Sequence, residues 1–162
     1  MTLHRSNAHK CAVFMLAVIS LAQNESAQAQ KKDTYACKEP DPTALCTAAN
    51  TCSGACSVDV KRTASAASAT PSFPGAKGNS AFCVKSGTPV TWKSDTKHQG
   101  FIVDMGPNPP FDPPNDIIGG SDKSVTVTAK IPGCYRYSAG ACLSGAIYGM
   151  CGNGTAEVVI LK

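Results

Sequence analysis

From Ser57 onward the apolar residues recur at every second position. Val58 and Val60 alternate in "SVDVKRT" (57–63), and the two-residue period returns in "AFCVKSG" (81–87), "TPVTWKS" (88–94), "GFIVDM" (100–105), "SVTVTAK" (124–130), "CYRYS" (134–138) and "TAEVVILK" (155–162). Successive side chains of a strand point to opposite faces, so this period predicts about seven short, half-buried strands. Val90 with Trp92, and Val158 with Ile160, are expected to pack inward, and Val125 with Val127 to share a face of a neighbouring strand. No long stretch carries a 3.6-residue apolar period. Pro and Gly clusters separate the strands, most strongly "GPNPPFDPPND" (106–116), which can continue neither a central strand nor a helix. The short run "ASAASA" (64–69) reads as a low-complexity loop. Strands without intervening helices point to an all-β antiparallel sandwich or barrel.

The N-terminal part follows other rules. Arg5, His9 and Lys10 precede an apolar run from Cys11 to Ala22, and a polar stretch then ends in Ala27-Gln28-Ala29. This is the order of a secretory signal peptide over residues 1–29, cleaved after Ala29. The apolar run is shorter than the roughly 20 residues of a bilayer-spanning helix, and no second long run follows, so no membrane span is expected. The predicted destination is the periplasm or the exterior. Residues 30–56 are polar, poor in apolar residues and crowded with cysteines. They cannot build a core alone and are expected to lie against the main domain, residues 57–162.

Cleavage changes the cysteine arithmetic. Of the 9 cysteines, Cys11 leaves with the leader, and Cys37, Cys46, Cys52, Cys56, Cys83, Cys134, Cys142 and Cys151 remain; of the 3 histidines only His98 remains. An even cysteine set in a short exported chain predicts a disulfide framework. Cys37, Cys46, Cys52 and Cys56 are expected to pair mainly among themselves. Cys52-Ser-Gly-Ala-Cys56 has neither thioredoxin-type nor zinc-knuckle spacing, so a structural bridge is the better reading. The leader also removes Arg5, Lys10 and Glu25, so the net charge of +4 falls by one. No dense basic run accompanies that charge, which points away from nucleic acid and anionic membranes as partners.

The segments "VKSGTPVTWKSDTKHQGFIVD" (84–104) and "SVTVTAKIPGCYRYSAGACLSGAIYGMCGNGTAEVVIL" (124–161) resemble the two halves of a cupredoxin. The first has the Gly turn, the Val-x-Trp strand and a histidine after a polar turn. The second has a Tyr-x-Tyr strand, a ligand loop, a Gly-Met and a closing strand. The resemblance covers residues 57–162 and implies a Greek-key β-sandwich with copper held by two histidines, a cysteine thiolate and an axial methionine. Carried over residue by residue, the first histidine is His98 and the methionine Met150. Counting back from Met150 puts the ligand cysteine on Cys142 and the second histidine on Gly145. Counting forward from Tyr135 and Tyr137 puts them on Ala139 and Cys142. Neither restores the site, because the chain beyond the leader has one histidine.

Cys142 is read first as a disulfide cysteine. A bridge to Cys151 would close a ring of about ten residues, worth about 2 to 3 kcal/mol in the chain-entropy model. Trp92 and Met105 are read as packing residues. Tyr135 and Tyr137 share one face, with hydroxyls expected to reach backbone partners at a sandwich edge. Asn153-Gly154-Thr155 is a formal glycosylation acceptor, without meaning in a bacterium, the source that the Ala-x-Ala leader suggests. One histidine between Asp95 and Asp104, with no nucleophile elbow or zinc-protease pattern, predicts no enzyme. The leading expectation is an exported binding or structural module without a cofactor. It would recognise a protein or small ligand where His98, the Pro-rich loop and the 139–150 loop meet. The alternative is a copper-binding or electron-transfer protein with an atypical site on His98, Cys142 and Met150.

Overall fold

The computed structural model describes residues 35, 37, 41–64, 66–143 and 151–162. The expected leader, residues 1–29, lies outside them, as does Met150. The chain divides into Met1–Thr34 and a compact unit Tyr35–Lys162. The cysteine-rich stretch from Tyr35 therefore belongs to the same unit as the strands.

That unit is all-β apart from a short 3-10 turn at Pro42–Leu45, capped by Asp41, whose carboxylate accepts from the Thr43 amide. Its strands are β1 (Cys56–Thr63), β2 (Ala66–Pro71), β3 (Phe82–Lys85), β4 (Pro89–Lys93), β5 (Gln99–Asp104), β6 (Phe111–Asp112), β7 (Ile117–Gly120), β8 (Val125–Ala129), β9 (Gly133–Leu143) and β10 (Cys151–Leu161). They form one mixed sheet in the order β6-β8-β4-β1-β2-β10-β9-β5-β7, with β3 parallel to the far end of β10. Continuity between β2 and β10 rests on one rung, Asn153 to Ala66. On one side of that rung lie β6, β8, β4, β1 and β2; on the other lie β3, β10, β9, β5 and β7.

The two groups of strands share one core. Val58, Val60, Val90, Trp92 and Val127 from the first group pack in the same buried cluster as Phe82, Phe101, Val103, Tyr137, Val158 and Ile160 from the second. Trp92 meets Tyr137 edge-on with ring centroids 5.3 Å apart, and Phe82 at 6.3 Å. Such contacts add about 1 kcal/mol each beyond area burial. The inward positions expected at Val90, Trp92, Val158 and Ile160 are buried, and Val125 packs at the cluster margin beside buried Val127.

Three readings of the sequence need correction. The "ASAASA" stretch is not a loop: Ala66–Pro71 is a strand that forms a hairpin with β1, Val60 opposite Ala69, with Ala67 and Ala69 buried. Its residues are small because β10 crosses close by; a Cβ on Gly154 would collide with the Ala67 carbonyl. The presumed ligand loop after Ser138 is strand through Leu143, paired with β10 on one side and β5 on the other.

The third correction concerns the cysteines. Only Cys52 and Cys56 pair locally; Cys37 is bridged to Cys134 and Cys46 to Cys83. A polar segment with no core gains order by extending an existing strand. The Cys52 amide donates to the Cys83 carbonyl at 2.8 Å, and the Cys83 amide to the Asn50 carbonyl at 2.9 Å. Tyr35 adds a further tie, donating its hydroxyl proton to Asp104 Oδ2 at 2.5 Å while its carbonyl accepts from the Arg136 amide.

Candidate binding site at the His98 end

His98 stands at the last position of the turn before β5, exposed, with φ +57°. This left-handed conformation is uncommon outside glycine and is held here by the next residue. Gln99 takes an inward position in the alternation Gln99, Phe101, Val103, and its amide is buried. Gln99 Nε2 donates to the Val60 carbonyl at 2.7 Å and to Ser94 Oγ at 2.6 Å, and Oε1 accepts from the Arg62 amide at 2.9 Å. A buried amide so engaged fixes its backbone, because freeing any partner would leave a buried polar group unpaired. The sequence reading passed over Gln99. The signal was present in a polar side chain at a position that the strand period assigns to the core.

Across the edge of the sheet, β7 brings a second turn beside His98. Gly120 pairs with Gly100, the Ser121 amide donates to the Gln99 carbonyl at 3.0 Å, and Gly120 and Lys123 exchange backbone bonds of 2.9 and 3.2 Å. Between the two turns lies an open groove of about 590 Å³, walled by Lys97, His98, Ile118, Ser121, Asp122 and Lys123 over a floor that includes Gly100, Gly119 and Gly120. Ile118 is 59% exposed, and Ile102, its cross-strand partner, 40%.

The ladder also locates the proposed ligands. Gly100 pairs with Cys142, and Cys142 with Cys151, so the His98 turn and Cys142 share one end of the sheet. Cys142 is disulfide-bonded, and in that state its sulfur offers no thiolate to a metal. The backbone of Cys151 lies directly across the ladder from it. Among the described residues no three His, Cys, Asp or Glu side chains are grouped as a metal would need.

The Pro-rich loop does not join this end. Val103 pairs with Ile117, so residues 105–116 connect the far end of β5 to the far end of β7, and the Ser121–Lys123 turn takes the place expected for them. Met105 is buried in the core, as expected. Asp104 lies at the far end of β5, engaged by Tyr35 and by the Gly106 amide at 2.8 Å, while Asp95 pairs with Lys93 at 2.9 Å.

The tyrosines divide. Tyr135 donates to the Pro132 carbonyl at 3.4 Å near the surface. Tyr137 instead points into the core, and burial pushes its hydroxyl pKa up; neither that hydroxyl nor Trp92 Nε1 has a hydrogen-bond partner among the described residues. The expected backbone partner is absent for Tyr137 because β9 lies between β10 and β5, with its inward face at the centre of the unit. No known family's sequence profile matches this chain, and no curated protein sequence is significantly similar to it.

Proposed function

We propose that the protein is an exported, disulfide-stapled, cupredoxin-like binding module that recognises its ligand at the His98 end and lacks a type 1 copper site. The observation that carries the reading is the rigid open groove beside His98, in which the side chain of Gln99 anchors one wall and a backbone bridge the other. Loops fixed on a strand scaffold commonly carry recognition, and the groove volume falls in the range of small-ligand and peptide sites. Export accords with the Cys37–Cys134, Cys46–Cys83 and Cys52–Cys56 bridges and the bonded state of Cys142, which would not persist in a reducing compartment. No helix among the described residues is long and apolar enough to cross a membrane.

The rival reading is a copper carrier using His98 with Met150 and, after reduction, Cys142. It is favoured by the ladder register that brings the His98 turn and Cys142 to one end of the sheet. A free-thiol count and metal analysis on the native protein, followed by Cu(II) and anaerobic Cu(I) titration of wild type and His98→Ala, separate the two. The module reading expects no free thiols and no intense visible band. A copper-thiolate band near about 600 nm, or Cu(I) binding lost in His98→Ala, would replace it with the carrier.

A further inference from the structure

The groove is lined by basic side chains that no carboxylate engages among the described residues. Lys97, Lys123 and His98 stand on its walls, exposed, and none of the three is in an ion pair or a side-chain hydrogen bond among the described residues. Among the other lysines, Lys61 approaches Asp59, Lys93 pairs with Asp95 and Lys130 with Asp112, while Lys77, Lys85 and Lys162 are exposed without an ion pair among the described residues. The backbone adds further donors. The amides of Lys97 and His98 have no acceptor among the described residues, in a turn whose last residue is left-handed. Successive unpaired amides at such a turn form a natural cradle for an anionic oxygen. Ser121 offers a hydroxyl on the opposite wall.

Against this stands Asp122, also on the wall and without an ion pair among the described residues. It offsets one lysine and leaves one ammonium, two amides and an imidazole donor. It also disfavours a single compact dianion, which would sit close to Asp122 wherever it bound, and favours carboxylates spaced along a chain. Ile118, exposed on the rim, supplies an apolar contact that a bare inorganic ion could not use.

We propose that this groove recognises a carboxylate-rich segment of a partner polypeptide, with acidic side chains at Lys97, His98 and Lys123 and an apolar side chain against Ile118. The proposal rests on the reading of the His98 end as the binding end, and it names the partner chemistry.

The test uses the oxidised, ¹⁵N-labelled protein and four probes: a hexaglutamate peptide ending in leucine, free glutamate, inorganic phosphate and hexalysine. The glutamate-leucine peptide is expected to shift the amides of Lys97, His98, Ile118 and Lys123 saturably, with affinity falling as salt is raised. Lys97→Ala with Lys123→Ala should weaken it about ten-fold, while Lys77→Ala with Lys85→Ala, outside the groove, should leave it unchanged. Free glutamate and phosphate should bind at least about ten-fold more weakly than the peptide, and hexalysine should leave the four amides unmoved. No saturable shifts, equal weakening by the remote pair, or phosphate binding as tightly as the peptide would overturn the proposal. Saturable shifts confined to another face would overturn it while leaving the module reading standing. A blue copper band would remove the module reading without altering the peptide result.

Discussion

Two tyrosines show how placement decides what a hydroxyl does. Tyr137 is fully buried against Trp92 and has no hydrogen-bond partner among the described residues. An unpaired buried hydroxyl costs about 1 to 3 kcal/mol, so Tyr137→Phe is expected to leave stability unchanged or raise it by about 1 kcal/mol. Urea unfolding measures this, and a loss above about 1 kcal/mol would mean that the hydroxyl is bonded after all. Tyr35, near the surface, is pushed up to about 12, first by its hydrogen bond to Asp104, then by burial and by the charges of Asp104 and Asp116. The folded state thus holds the proton more tightly than the unfolded chain, whose tyrosines titrate near about 10. The contribution is complete below pH ~10 and is lost as pH rises through about 12. Absorbance titration at alkaline pH should show one tyrosine ionising late by this cause, and Tyr35→Phe should remove that component and flatten the alkaline loss of stability.

At the scale of elements, what could be read from the sequence depended on side-chain size. β1, β4, β5 and β8 were visible because Val, Trp and Phe recur at every second position, and the structure buries Val58, Val60, Val90, Trp92, Phe101, Val103 and Val127. β2 and the second half of β9 were missed because Ala, Ser and Gly carry no such contrast, and β7 because its two adjacent isoleucines are followed by two glycines and show no alternation, although their backbones pair as regularly. Smallness there reports close approach between strands. Gly154 shows this most sharply, since any Cβ would strike the Ala67 carbonyl at the crossing of β10 and β2. Gly154→Ala is therefore expected to cost about 3 kcal/mol, whereas Gly100→Ala, whose nearest neighbour would lie 3.8 Å away, should cost less than about 1 kcal/mol. Thermal unfolding of the two variants side by side checks the difference. The site was legible in part on the same grounds. His98 stood out as the lone histidine beyond the leader, but Gln99 matters through partners on β1 and in the loop after β4, and contacts so distant in sequence leave no local pattern.

Across the whole unit, long-range closure decides the architecture. The sheet ends in β6, two residues between Pro110 and Pro113, and in β7, four residues closed at Gly120 by Lys123. Both edges are short and blunt, which limits strand addition by other copies. The Cys37–Cys134 bridge spans 97 residues and is worth about 4 to 5 kcal/mol in the chain-entropy model, against about 2 kcal/mol for the four-residue Cys52–Cys56 link. Non-reducing peptide mapping should recover Cys37 with Cys134 and Cys46 with Cys83. A Cys37–Cys46 peptide would contradict the structure. Cys37→Ser with Cys134→Ser should lower the melting temperature while retaining the β circular dichroism.

That connectivity bears on how the protein is made. If the chain is exported as proposed, N-terminus first into an oxidant, Cys37 and Cys46 meet before Cys83 and Cys134 arrive. Oxidation in order of arrival would lock in Cys37–Cys46, and of the bridges at Cys37, Cys46 and Cys52 the Cys52–Cys56 link alone would be right at once. The native set then requires a thiolate to attack the early bridge and pass the bond onward, a reshuffling that is slow without a catalyst. Yield of the correctly bridged protein should therefore depend on a disulfide isomerase and not on oxidising power alone. Refolding from the reduced chain in a glutathione redox buffer, with and without added isomerase, would show that dependence as a difference in rate.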